Sequence, residues 1–385
     1  MKKICFFLQT PLTRRDYERF GVELLRNIGF EVLFLDMTAV MNPDYKSSEK
    51  IATDSTVYCN TYDDADKFLR DSGDMFGIDM IGARVINVFF YRILKRHKVR
   101  YAAFCANSIP TSYSWNSKGM DLIGNIKILF GSIVWRLPNS LLGLPTPDYV
   151  LAGGERYSPK RPQPGSATRV IWAHSLDYDK YLEYCLSDRI PLIDGGYAVF
   201  LDEYFPLHPD YNIKGGMHKN PFSEDRQGEY YTGMNRFFSY LENRIGIPIA
   251  IAAHPKSKYE DMPGVFGERK MFKGKTIELV SRARYVIAHV STSVNFAVLF
   301  RKPIVFVTMN AMESTPYGPL ISNFASQFNE RVVNIDLDPA GWPAKEPVIV
   351  AEGPYKEYVR RFIKTDGSPQ LPFWQIVGDR LKAYN

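Results

Sequence analysis

Residues 3–35, KICFFLQTPLTRRDYERFGVELLRNIGFEVLFL, decide the fold. Lys3–Leu8, with an unbroken apolar run from Ile4, reads as a strand covered on both faces, because a half-exposed strand would alternate polar and apolar residues. Thr10, Pro11 and Thr13 make a turn, Asp16–Ile28 carries apolar residues at helical spacing, Gly29 ends the helix, and Glu31–Leu35 is a second strand. This is a strand–helix–strand unit with parallel strands. Working outward, Arg84–Leu94, Tyr101–Phe104 and Tyr149–Leu151 read as further strands of the same sheet. Tyr157–Thr168, rich in proline and polar residues, has the composition of an exposed connection. Beyond it Tyr197–Leu201, Ile247–Ala252, Tyr285–His289 and Pro303–Val307 are strand candidates, separated by helical stretches such as Gly233–Arg244 and Thr276–Arg282. The expected fold class is α/β, with two Rossmann-like doubly wound domains. Residues 1–160 form the first and 161–370 the second. Residues 371–385 form a terminal helix, in which Phe373, Trp374, Ile376, Val377 and Leu381 recur at helical spacing.

Composition agrees with this reading and narrows the function. The 385 residues are 45% hydrophobic and 23% charged, the balance of a globular protein. Lys+Arg 48 against Asp+Glu 42 gives +6. The basic residues are dispersed, which disfavours nucleic acid as the partner and leaves mild attraction to anionic ligands. Cys5, Cys59, Cys105 and Cys185 form no CxxC pair, so neither a zinc site nor a disulfide framework is expected, and each reads as a small buried apolar residue. Charge returns at Arg14 and Arg15 after the first apolar run, unlike a signal peptide, and no apolar stretch reaches about 18 residues. The expected location is cytoplasmic, with contact at the inner face of the cytoplasmic membrane as an extension of that reading.

The chemistry is expected at strand ends. In open α/β sheets, ligands bind outside the carboxyl ends of the strands. Ile249-Ala250-Ile251-Ala252-Ala253 runs into His254-Pro255-Lys256, and Tyr285–His289 runs into Ser291-Thr292-Ser293 and the helical Val294–Phe300. Hydroxyls and free backbone N–H groups at such a turn suit a phosphate without a metal. Tyr197–Leu201 ends in Asp202-Glu203, is preceded by Asp194-Gly195-Gly196 and followed by His208-Pro209-Asp210. Asp202 is the first candidate for a catalytic carboxylate and Glu203 the second. His174, Thr10 and Arg14 are candidate acceptor or donor contacts. Weaker signals are the D-x-D pairs Asp177/Asp179 and Asp336/Asp338, which fall short of a metal site. Gly153-Gly154 lacks a dinucleotide fingerprint and reads as a turn. Gly124–Leu144 is an apolar segment with Lys127 and Arg136 that suits a core helix, or a membrane surface.

With two α/β units, His254-Pro255 after one strand and Ser291-Thr292-Ser293 after the next, the sequence resembles the GT-B glycosyltransferases, and more narrowly the bacterial enzymes that transfer sialic acid or Kdo from CMP-activated donors. That resemblance implies a transferase of capsule, lipopolysaccharide or O-antigen synthesis, acting without a metal or other cofactor. Its partners would be a nucleotide sugar and an oligosaccharide or lipid-linked glycan acceptor. His254, Pro255, Lys256, Ser291, Thr292 and Ser293 would hold the nucleotide. The family's acidic D/E-D/E-G motif is met only in part: Asp194-Gly195 keeps a fragment, and Asp202-Glu203 lacks the glycine. Asp202, Glu203 and Asp194 therefore all stand as catalytic candidates. A UDP-sugar transferase or UDP-sugar 2-epimerase of the same architecture is the alternative, and an inactive glycan-binding scaffold the reading from another class.

Overall fold

A computed structural model describes residues 2–45, 49–82, 87–110, 137–157, 162–188, 190–212, 220–337 and 350–383. Two parallel sheets form its framework. The first contains β1 (Lys3–Leu8), β2 (Glu31–Asp36), β3 (Thr56–Tyr58), β4 (Met75–Asp79), β5 (Arg100–Cys105), β6 (Tyr149–Ala152) and β7 (Arg169–Trp172), in the order β3-β2-β1-β4-β5-β6-β7. The second contains β8 (Ala198–Leu201), β9 (Ile249–Ala253), β10 (Met271–Lys273), β11 (Tyr285–Ala288), β12 (Ile304–Thr308) and β13 (Val332–Asn334), in the order β10-β9-β8-β11-β12-β13. Both are doubly wound Rossmann-like units.

The unbroken apolar runs follow from this burial. Ile4, Phe6 and Leu8 of β1 enter one core, while Cys5 and Phe7 enter another on the opposite face. Successive side chains point to opposite faces, so a strand with helices on both sides needs apolar residues at every position. The order reverses between β1 and β4 in one sheet and between β8 and β11 in the other, and a crevice opens at the carboxyl end of each such switch point.

The structure departs from the sequence reading in several places. Of Arg84–Leu94, read as a strand, residues 84–86 lie outside the described residues and 88–94 belong to the helix Val88–Arg96, whose Phe90, Tyr91, Ile93 and Leu94 are buried while Phe89 is exposed. A short apolar run does not by itself separate a strand from a buried helix. The actual neighbour of β1 is β4, whose Gly77 leaves space that the Phe7 ring fills, and whose short sequence gives little periodic signal. The helix Asp16–Ile28 is two helices, Arg14–Arg19 and Val22–Asn27, broken at Gly21. There φ is +55° and a Cβ would lie 2.6 Å from the Trp374 ring. Arg169–Trp172, beyond the boundary expected at 160/161, is the edge strand of the first sheet, paired to β6. Cys185 is exposed at the end of the helix Leu176–Cys185, unlike the three other cysteines. Residues 124–136 of the apolar segment and Asp338 lie outside the described residues.

The chain crosses between the units twice, and the crossings are tied together. Ser175 N–H donates to the Ile363 carbonyl at 2.7 Å, and His174 and Lys364 form an antiparallel bridge. A Cβ on Gly154 would sit 2.3 Å from the Arg361 backbone, so the Gly153-Gly154 pair serves close approach of the second crossing rather than a turn. The terminal helix Phe373–Ala383 packs on the first unit, with the Trp374 ring edge-on to Phe6 and its indole N–H donating to the Arg19 carbonyl at 2.7 Å. Among the described residues, no helix is long and apolar enough to cross a membrane.

Candidate active site

The carboxyl ends of β8, β9 and β11, adjacent in the second sheet, place Asp202-Glu203, His254-Pro255-Lys256 and Ser291-Thr292-Ser293 side by side. The first unit faces them. Lys256 Nζ donates to Asp210 at 2.7 Å and to the hydroxyl of Tyr45 at 3.1 Å, and Lys273 pairs with Glu49 at 3.4 Å. Tyr45 and Glu49 follow β2, so loops at the carboxyl ends of both sheets meet here.

Asp202 and Glu203 have different surroundings although they are neighbours in sequence. The Asp202 carboxylate is buried and accepts three hydrogen bonds, from Tyr204 N–H, His254 N–H and the Tyr259 hydroxyl, each at 3.0 Å. It buttresses the corner after β8, where Tyr204 takes the left-handed conformation (φ 57°) that non-glycine residues adopt at a cost. Burial pushes its pKa up to about 6, against those hydrogen bonds. Glu203 is half-buried. It accepts one short bond, from Val290 N–H at 2.6 Å, and its desolvated surroundings, with the neighbouring Asp202 charge, push its pKa up to about 8. A carboxyl that exchanges a proton near neutral pH is suited to general acid–base work. Asp202 is thus the anchor and Glu203 the group with chemistry to offer.

His254 is half-buried, and its Nδ1 accepts the Lys256 N–H at 3.1 Å. Burial, then the nearby His208, Arg15, Lys256 and Lys273, lower its pKa to about 2. The ring is therefore neutral, with its proton on Nε2, where it donates. Thr292 is exposed beside Ser291 and Ser293, and Ser291 Oγ accepts the Ser293 N–H at 3.2 Å. His289, just upstream, is buried and structural: its Nδ1 donates to the Val307 carbonyl at 2.7 Å and its Nε2 accepts the Tyr230 hydroxyl at 3.2 Å.

Other candidates lie elsewhere. Asp194 is exposed on the loop before β8, at the amino end of the strand and so at the opposite edge of the sheet from Asp202. Its motif says nothing about which end of the strand carries it. Arg14 is exposed and paired with Glu18 at 2.9 Å. Its neighbour Arg15 is the one within electrostatic reach of His254, Glu49 and Asp177. Thr10 is half-buried after β1, while Thr13 caps the helix Arg14–Arg19. His174 is fully buried at the chain crossings, with Nδ1 3.0 Å from the Ser175 carbonyl and Nε2 2.8 Å from the Leu371 carbonyl. It holds the connection and is not in the cleft. Asp177 and Asp179 diverge: the first meets Asn295 at 2.9 Å, and the second accepts the Phe373 N–H at 2.9 Å. No group of three or more His, Cys, Asp or Glu side chains among the described residues is arranged to hold a metal.

Two residues were assigned no role from the sequence: Arg15, indistinguishable there from a surface charge, and the histidine of the second His-Pro pair, His208-Pro209. The latter had a signal, because the dipeptide recurs at 254–255.

No protein-family model and no curated protein matches the chain. Solved structures do. The chain is similar to S. aureus MnaA in complex with UDP, with 13% identity, 100% of this chain and 97% of that one covered, and a TM-score of 0.52. It is also similar to the wall teichoic acid polymerase TagF (H444N + CDPG), with 11% identity, 100% and 88% covered, and a TM-score of 0.50. At such identities the likeness defines the fold: two Rossmann-like units in the GT-B arrangement.

Proposed function

We propose that the chain is a GT-B glycosyltransferase that binds a pyrimidine-nucleotide-activated sugar on its second unit and an acceptor hydroxyl in the cleft against the first. The observation that carries this reading is the meeting of Glu203 and the neutral His254 on adjacent strand ends of one cleft. Transfer requires that the acceptor O–H lose its proton as oxygen bonds to the anomeric carbon, and that the bond from that carbon to the phosphate oxygen break. Glu203, ionised near pH 8, takes the proton. His254 Nε2–H and the Ser291–Ser293 turn donate to the departing phosphate, where negative charge grows. Arg15, Lys256 and Lys273 lie around the same point. A diphosphate donor such as a UDP-sugar is favoured over a CMP-linked Kdo or sialic acid. The ligands named for the two structural neighbours, UDP and CDPG, support that preference. The reading assigns no step to a metal.

The test is incubation with UDP-GlcNAc, CMP-Kdo and CMP-sialic acid, following nucleotide release and the configuration of the sugar. UDP release that depends on an added glycan acceptor is the expected result. Inversion at C2 without an acceptor would instead identify a 2-epimerase, for which Glu203 would also serve as the proton-exchanging group. Release from the CMP donors alone would restore the narrower resemblance, and release from none of the three would leave the scaffold reading.

A further inference from the structure

Asp177, one member of a D-x-D pair, sits where four helices of the chain meet. Its own helix, Leu176–Cys185, follows the first crossing between the units. Its carboxylate accepts the side-chain amide of Asn295 at 2.9 Å and stands 3.9 Å from the guanidinium of Arg19, on the helix Arg14–Arg19 of the first unit. The amide oxygen of Asn295 accepts the Tyr358 hydroxyl at 3.2 Å, from the helix Glu352–Tyr358 that precedes the second crossing. Asn295 and Tyr358 are both buried, and both ends of the amide are used, as a buried polar group requires.

Asn295 is also bonded directly to the site. Its backbone N–H donates to the Thr292 carbonyl at 3.0 Å, flanked by the Val294 N–H on the Ser291 carbonyl at 3.1 Å and the Phe296 N–H on the Ser293 carbonyl at 3.0 Å. The Ser291–Ser293 turn is therefore wound onto the start of the helix Val294–Leu299. The side chain that anchors that start is held from outside the second sheet, by Asp177, which in turn faces a cation of the first unit.

We infer that Asp177 and Asn295 are positioning residues, which hold the Ser291–Ser293 turn in register with the first unit and so set how tightly the turn grips a ligand phosphate. The inference rests on reading the cleft as a nucleotide-sugar site. It adds that the phosphate turn is aligned from the crossing between the units and not by its own sheet alone.

The test exchanges the two partners in the full chain. Asn295→Asp sets a carboxyl against a carboxyl with no N–H between them. Adding Asp177→Asn restores an amide–carboxyl pair in the opposite sense and leaves the Tyr358 hydroxyl an oxygen to donate to. Calorimetry follows UDP binding, and hydrogen exchange follows the amides of residues 291–296 in the ligand-free chain. Asn295→Asp is expected to weaken UDP binding about tenfold and to speed exchange in the turn, and the double variant to return both to within about threefold of wild type. A pair with a structural role alone would lower the melting temperature of Asn295→Asp and leave the UDP affinity of the folded chain unchanged. That result overturns the inference and leaves the nucleotide reading standing. Absence of UDP binding by wild type removes the nucleotide reading, and exchange then decides the positioning role: faster in Asn295→Asp and recovered in the double variant supports it, unchanged overturns it. Should Asn295→Asp fail to fold, Asp177→Asn decides, because an amide there still accepts from Asn295 but no longer attracts Arg19. UDP binding weakened about threefold or more supports alignment from the first unit, and unchanged binding overturns it.

Discussion

Three aspartates stand at the carboxyl ends of strands near the two switch points, and each makes the same local contact. Asp36 accepts the Thr38 N–H, Asp79 the Ile81 N–H and Asp202 the Tyr204 N–H, in every case two residues on. In the first unit Asp79 also takes the Gly82 N–H and the Tyr91 hydroxyl, from its own loop and the following helix. In the second unit the aspartate reaches across to the His254 turn, and the next residue, Glu203, is held over the cleft. The comparison teaches that the acid at the strand end builds the corner in both units. The second unit adds a further carboxyl, Glu203, whose burial outweighs the hydrogen bond it accepts.

The comparison breaks most visibly at Glu203. Glu203→Gln is expected to lower turnover by roughly 10²- to 10⁴-fold with the fold intact, as for loss of a general base. Asp36→Asn is expected to leave turnover per folded molecule within a few-fold. Rates on whichever donor wild type consumes, with folding checked by circular dichroism, measure both. A smaller effect separates Asp202 from Glu203. Asp202→Ala is expected to cost about 2–4 kcal/mol in denaturant melts, because three donors lose a buried partner. Glu203→Ala is expected to cost far less, since it strands only the backbone N–H groups around Val290.

Stability against pH sharpens the same contrast. The Glu203 pKa is raised from 4.5 to about 8, so between these values the folded chain keeps a proton that the unfolded chain has lost. Stability therefore falls as pH rises through that window, by at most about 1.4 kcal/mol per pH unit for one group. Glu203→Gln should remove this slope and raise the melting temperature at pH 8. His254 and His289 act in the opposite sense, their pKa values lowered from 6.5 to about 2 and about 4, so stability falls as pH drops below 6.5. The smallest expected effect is at the contact between units: Lys256→Met should change stability by no more than about 1 kcal/mol, because the half-exposed ion pair with Asp210 is screened by solvent.

Much of the framework was legible because strands buried on both faces are written as unbroken apolar runs, as in KICFFL and IAIAA. The three-residue edge strands β10 and β13 carry too few residues for such a signal, and Gly77 weakens it in β4. The nearness of His254, the Ser291–Ser293 turn and the Asp202-Glu203 pair was legible because all three follow strand ends, and the strands are adjacent. Their different surroundings were not, since the adjacent acids differ through donors brought by other parts of the chain, His254 N–H and the Tyr259 hydroxyl for Asp202 and Val290 N–H for Glu203. Asp194 shows the same gap from the other side: a motif fragment does not reveal the edge of the sheet on which it sits. His174 was misread because a histidine after an apolar run looks alike whether it ends in a cleft or between two crossings of the chain.

The most direct test is a crystal of the full chain soaked with UDP. The account predicts the nucleotide in the cleft, with a phosphate oxygen within hydrogen-bond distance of His254 Nε2 and beside the Ser291–Ser293 turn. A nucleotide bound at the carboxyl ends of the first sheet, leaving His254 and Glu203 without ligand contact, would contradict it.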